Sequence, residues 1–193
     1  MKRLIIGIDE VGRGALAGPV VLAAVARTGR VRLTHSALGR IRECKQLTAK
    51  RREAWFSYLT GHPRISWRIA RVSPSVIDRI NITRAANLAA RRLVRRMATD
   101  RMPCLAWLDG GLALPERIPH RVFVKGDERK SIIAAASIIA KVSRDRLMAR
   151  LHRVYPAYCF HLHKGYGSSY HRRMIRMHGP SPVHRRSFLS KLI

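Results

Sequence analysis

Acidic residues are scarce. Eleven Asp and Glu stand against 39 Lys and Arg, 31 of them Arg, for a formal charge of +28 on 193 residues. Arginine-rich genomic bias accounts for part of such a surplus, but +28 on one chain predicts a polyanionic partner bound through phosphate contacts. Nucleic acid is expected ahead of an acidic membrane surface. Cysteine is also scarce. Cys44, Cys104 and Cys159 are odd in number, far apart and without CxxC spacing, which excludes a disulfide framework and a zinc knuckle. In "CFHLH" the residues Cys159, His161 and His163 have a metal-ligand look, yet the expectation is ordinary loop residues. Long apolar runs are missing: no stretch reaches the about 18 residues a membrane helix needs, so no membrane association is expected. "MKRLIIGIDE" places two basic residues before an apolar run, as a leader would. That run is broken after about five residues by Asp9 and Glu10 with no cleavage site behind it, so it predicts a first strand of a cytoplasmic protein.

At 47% hydrophobic, the composition suffices for one well-cored domain over 1–193, with a helical C-terminal part from about 153. Short Val/Ile/Leu-rich runs predict strands over 3–8 and 19–26, with a Gly-rich turn between. "QLTAKRREAWFSYL" predicts a helix capped by Thr48. "RISWRIARV" alternates at period two, as a half-buried strand does. "SPSVIDRI" offers Ser73 as N-cap and Pro74 as first helical residue, and 83–98 forms an amphipathic helix with Ala and Leu opposite Arg. "CLAWLDGG" and "HRVFVKGD" read as strands, 131–151 as a long Ala-faced helix, and 169–177 as a last helix. Strands interleaved with helices make the chain α/β.

The stretch "IIGIDEVGRGALAGPVV" poses a choice between glycines and acids. Gly12, Gly14 and Gly18 loosely fit a dinucleotide fingerprint, which requires a helix starting at the glycines. Here Pro19 and "VVLAAVA" predict a strand instead, and Asp9 and Glu10 would repel a pyrophosphate. The acids read better as a metal site. Asp9 and Asp109 close strands and Asp127 follows another, and strand ends gather at one edge of an open α/β sheet. Clustered carboxylates cannot all stay ionised without a cation, and oxygen donors suit Mg²⁺ or Mn²⁺. Two such ions activate water and stabilise a leaving phosphodiester oxygen. The glycines then let backbone approach a substrate strand, with Arg13 reaching a phosphate. Asp145 is a rival ligand with a local partner in Lys141, so Asp127 and Asp145 stay unranked; Glu53 and Asp78 are expected on solvated or salt-bridged helix faces.

In order, "GIDEVGRGALAGPVV", "KQLTAKRR", "INITRAANLAARRLV", "WLDG", "VKGD", "SIIAAASIIAKVSRDRLM", "HKGYGS" and "GPSPVHRRSF" resemble the successive motifs of bacterial ribonuclease HII, across about residues 5–188. The related ribonuclease HIII has a further N-terminal substrate-binding domain, whereas here the chain begins at the matching strand. The resemblance implies a ribonuclease H-like fold, a mixed central β-sheet flanked by helices. It implies a metal-dependent endonuclease acting on RNA–DNA hybrids and on ribonucleotides embedded in duplex DNA, leaving 3′-hydroxyl and 5′-phosphate ends. Asp9, Glu10, Asp109 and Asp127 fall on its ligands for Mn²⁺ or Mg²⁺, two ions with substrate bound. Gly12, Arg13, Gly14 and Tyr166 fall on its readers of the 2′-hydroxyl, the group that distinguishes RNA from DNA. The expected state is a monomer. A non-catalytic basic nucleic-acid binder is the alternative.

Two motifs depart from the family. "ECKQL" stands where Asp-Ser-Lys-Lys-Leu is usual, keeping Lys45 as a phosphate contact but placing Gln46 at the second lysine. Gly111 stands where an Asn often follows Asp-Gly. The Ala and Ile of "AAASIIAK" are read as packing, with Ser137 and Lys141 as possible backbone contacts, and His184, Arg185 and Arg186 are read as a duplex-facing arm.

Overall fold

In the computed structural model, which describes residues 4–28, 31, 33–41, 47–98 and 104–190, the first two apolar runs form an antiparallel pair, β1 (Leu4–Val11) and β2 (Val20–Arg27). Both lack the alternation of a surface strand because helices cover both faces of the sheet. β5 (Ile65–Val72) extends the pair antiparallel on one side. On the other, β6 (Cys104–Asp109) and β7 (His120–Phe123) run parallel to β1, giving the order β5-β2-β1-β6-β7. The remaining two strands, β3 (Thr34–His35) and β4 (Gly39–Arg40), form a separate small hairpin.

The register positions the acids. Ile8 stands opposite Leu108 in the parallel pair, so the next residue of each strand is Asp9 and Asp109. Asp109 in turn pairs with Phe123, from which the chain turns into α4 (Gly126–Arg129), with Asp127 in its first turn.

One face of the sheet packs on α2 (Pro74–Ile80) and α3 (Ile82–Met97), where Ala85, Ala86, Ala89 and Leu93 meet Ile6, Ile8 and Leu22. The other packs on α1 (Ala49–Gly61) and α5 (Ser131–Val154), with Trp55, Leu59 and the "IIAAASIIA" run against Ala23 and Val25. Small residues let α5 lie close: a Cβ on Gly7 of β1 would stand 2.5 Å from the Ile132 carbonyl oxygen. A third core sits beside the sheet. Here Phe160 of α6 (Phe160–His163), Met174 and Ile175 of α7 (Ser169–His178) and Leu189 of α8 (Arg186–Leu189) pack on Leu16 and Ala17.

Thr48 caps α1 as expected, accepting from the Arg51 amide at 3.3 Å. Ser73 precedes α2 but makes no capping bond; its hydroxyl pairs with that of Ser75 at 3.1 Å. No helix begins at Gly14. The chain turns there, bridges through Ala15 to Tyr166 and through Ala17 to His184, and enters β2, so the dinucleotide reading fails on geometry. Among the described residues no helix is long and apolar enough to cross a membrane.

Candidate active site

At the C-terminal ends of β1 and β6, a cavity of about 380 Å³ is lined by Asp9, Glu10, Asp109 and Asp127 together with Gly12, Arg13, Gly14, Ser137, Lys141 and Tyr166. The four sequence-predicted carboxylates therefore share one space with the Gly-Arg-Gly turn and the tyrosine. Lys45 lies outside the described residues. Asp145 is absent from the lining; its Oδ1 accepts from Lys141 Nζ at 2.9 Å, which separates it from Asp127 where the sequence could not.

Asp9 is only 5% exposed. Its Oδ1 accepts from the Glu10 amide at 2.7 Å, and Ser137 of α5 also hydrogen-bonds its carboxyl. Burial holds this carboxyl well above the usual range; the Ser137 bond opposes it, and the charges of Asp109 and Glu10 add to it. Burial likewise pushes Glu10 up to about 7 against the opposing pull of Arg13, with Asp109 contributing. Asp109 Oδ1 is fixed by the Gly126 amide at 2.6 Å, which ties β6 to the start of α4.

These groups fit hard divalent cations. Every donor is a carboxylate oxygen. Glu10 Oε2 is buried and has no hydrogen-bond partner, an orphaned acceptor that a cation satisfies.

The raised Glu10 has a measurable sign. Its carboxyl binds more protons folded than unfolded between about pH 4.5 and about 7, so its ionisation removes stability as pH rises through that window. The gap corresponds to about 3 kcal/mol for a side chain this buried. In EDTA, Glu10→Gln gains stability over wild type across the window by about that amount, read from urea unfolding at successive pH values. A difference that stays flat with pH sinks the assignment.

Arg13 does not point outward. Nη1 donates to Glu10 Oε1 at 3.3 Å and to the Gly111 carbonyl at 3.0 Å, and Nη2 to Thr83 Oγ1 at 2.9 Å. Gly111 is explained by the same contact: its φ is +96°, and a Cβ there would meet Arg13 Nη1 at 3.3 Å. Gly12 is more constrained still, with φ +85° and a would-be Cβ 2.1 Å from Arg144 Nε. Gly14 has open space around it.

The turn over 12–19 is held from beneath by two buried arginines. Arg185 donates to the carbonyls of Gly12 at 2.7 Å, Arg13 at 2.8 Å and Gly18 at 3.0 Å. Arg144 donates to Ala17 at 3.0 Å, Pro19 at 3.2 Å and Lys164 at 2.8 Å. Both are 0% exposed, and burial, with Arg144 beside it, pulls Arg185 down to about 9. This corrects the expectation of a duplex-facing arm. Arg185 and His184 are interior, and only Arg186 is exposed, where its amide is capped by Asp78 at 3.0 Å.

Tyr166 is held by a one-way hydrogen-bond chain. The Ser181 amide donates to His184 Nδ1 at 2.9 Å, so the proton of His184 sits on Nε2 and is given to His171 Nε2 at 3.1 Å. His171 then donates from Nδ1 to the Tyr166 carbonyl at 2.9 Å. Burial pushes both imidazoles down to about 4, which keeps them neutral. Sequence reasoning missed this chain and the arginine pair, because charged and titratable side chains at loop positions read as surface.

Comparison with known proteins agrees with the geometry. A family model described as Ribonuclease HII matches residues 6–191. Ribonuclease HII of Caldicellulosiruptor saccharolyticus is 39% identical over 191 residues, covering 99% of this chain and 89% of that protein. The ribonuclease H2 of Pyrococcus horikoshii OT3 has a TM-score of 0.75 at 26% identity, over 98% of this chain and 96% of that one. Bst-RNase HIII, solved in complex with Mn²⁺, shares the fold with a TM-score of 0.70 at 21% identity, over 92% of this chain and 63% of that one. The ribonuclease H-like sheet expected from the motifs is the sheet found, with helices on both faces. The chain belongs to the ribonuclease HII family and is a ribonuclease H endonuclease.

Proposed function

We propose that the chain hydrolyses the RNA strand of RNA–DNA hybrids and nicks at ribonucleotides embedded in duplex DNA, with Mg²⁺ or Mn²⁺ held by Asp9, Glu10, Asp109 and Asp127. The observation that carries this reading is the gathering of those four acids with Gly12, Arg13, Gly14 and Tyr166 in one cavity of a chain with charge +28. Divalent ions bound there, two with substrate present, supply an activated water and charge stabilisation of the leaving oxygen.

The chain's own residues orient the substrate. Asp9 is immobilised by the Glu10 amide and Ser137, and Asp109 by the Gly126 amide, so the carboxylates are pre-arranged on a sheet edge. The turn of Gly12, Arg13 and Gly14 lines the cavity with Tyr166, to which the next residue, Ala15, bridges, and together they read the 2′-hydroxyl. The open space at Gly14 leaves room for backbone to meet a sugar. Lys45 adds a phosphate contact. Water adds to phosphorus as the bond to the 3′ oxygen breaks, and that oxygen takes a proton, leaving 3′-hydroxyl and 5′-phosphate ends. The unit spans 1–193, with its helical part from about 153, and acts as a cytoplasmic monomer.

The test is cleavage of a DNA duplex carrying one ribonucleotide, beside an all-DNA duplex, with Mg²⁺, Mn²⁺ or EDTA. A metal-dependent nick confined to the ribonucleotide is expected. Salt-sensitive binding without a nick under either ion would overturn the reading and leave a basic binding protein.

A further inference from the structure

Beside the third core, where α5 meets the start of α6, three metal-ligating side chains converge. His152 in the last turns of α5, Cys159 and His161 each offer one ligand atom, and these atoms all lie within 4.8 Å of one another. His163, the third member of the "CFHLH" motif, is spoken for. Its Nε2 donates to the Tyr158 carbonyl at 2.8 Å and its Nδ1 accepts from the Gly165 amide at 3.2 Å. The histidine that joins Cys159 and His161 comes from α5 and not from within the motif.

Three further observations point to a ligand. The Nδ1 of His152 is buried and has no hydrogen-bond partner, although a buried ring nitrogen normally finds one. The His152 and His161 rings lie 4.0 Å apart at 39°, a close pairing of two groups that would repel if both were protonated. Cys159 holds a left-handed backbone with φ +49°, a conformation that L side chains rarely adopt. A strained residue bearing a reactive side chain is a reason to look for function. The Cys159 sulfur itself faces a polar neighbour: the Tyr170 hydroxyl donates to it at 3.4 Å.

We propose that His152, Cys159 and His161 form a second metal site, selective for a borderline-soft divalent ion of the zinc class, with water as fourth ligand. One thiolate and two imidazoles favour such an ion over Mg²⁺, which prefers oxygen. Tetrahedral ligands at about 2.0–2.3 Å from zinc stand about 3.5 Å from one another. The closure from 4.8 Å is small, and rotation of exposed His161 supplies it. The site fastens the end of α5 to α6, and hence to the turn that carries Tyr166. It is separate from the carboxylate cavity, shares no residue with it, and does not depend on the reaction assigned there.

Co²⁺ is the probe, added to untagged protein in excess Mg²⁺ so that oxygen-donor sites are filled. A cobalt–thiolate charge-transfer band saturating at one equivalent is expected, since an all-carboxylate site gives none. Cys159→Gly, which relieves the backbone strain and so keeps the fold, abolishes the band. His161→Gln, at an exposed position, weakens Co²⁺ and Zn²⁺ binding tenfold or more. Zn²⁺ raises the unfolding midpoint of wild type but not of Cys159→Gly. Absence of the band overturns the proposal, as does a band that survives Cys159→Gly and disappears with Cys104→Ala or Cys44→Ser.

Discussion

Asp9→Asn and Asp109→Asn each lower cleavage at an embedded ribonucleotide by about 10³-fold, the several kcal/mol that bound metal ions contribute to phosphodiester hydrolysis. Asparagine keeps the shape of each side chain and removes only the charge, so the loss reports on the ion and not on packing. Duplex affinity holds or increases, because each variant removes a negative charge that opposes the polyanion. Asp145→Asn is the internal comparison: its carboxylate does not line the cavity and touches it only through its partner Lys141, so cleavage falls far less than in the Asp9 and Asp109 variants. The metal-free proteins behave in the opposite sense. Asp9 is buried and held far above its normal range, so Asp9→Asn unfolds at higher urea concentration than wild type in EDTA. An Asp9→Asn protein that still nicks at the wild-type rate would falsify the ligand assignment.

Arg185→Met costs about 3 kcal/mol of folding stability and most of the cleavage rate. Methionine fills much of the volume, but it leaves the carbonyls of Gly12, Arg13 and Gly18 buried without their donor. Each such orphan costs about 1–3 kcal/mol, and the sum is partly offset because a desolvated guanidinium is also removed. Arg185→Lys keeps the charge but not the planar fork, so it reaches fewer of the three carbonyls and loses an intermediate amount. Urea unfolding with intact metal supply measures the first effect and single-turnover cleavage the second. If Arg185→Met shifts stability by less than about 1 kcal/mol, the tether carries little of the turn's rigidity.

The acids were legible in the sequence because chemistry and topology coincide there. The apolar runs before Asp9 and Asp109 are the parallel strands β1 and β6, which bring those two acids to one edge, and Asp127 follows β7 in the first turn of α4. Covered strands and the Ala-faced α5 were legible for the same reason, since burial on both faces writes a continuous apolar run. Asp127 could not be ranked above Asp145 from spacing, because the choice depends on how α4 leaves β7, a turn with no periodicity. The arginine tether and the histidine chain were illegible in a stronger sense. Arg185 bonds residues 167–173 positions away, and nothing near "VHRRSF" records the partner. Buried arginine and neutral histidine also run against the usual placement of those residue types.

The tether has a consequence for the order in which the molecule is built. The Gly-Arg-Gly turn leaves the ribosome well over a hundred residues ahead of Arg144 and Arg185, which hold the carbonyls of the loop it opens. Contacts of such sequence separation form late, after the sheet and its helices have closed the intervening loops. A nascent chain therefore carries its acids on a finished strand well before the turn beside them has its support. The catalytic cleft matures only after residue 185 has emerged, and a chain interrupted before it would keep the acidic edge while lacking the frame that aligns a substrate against it.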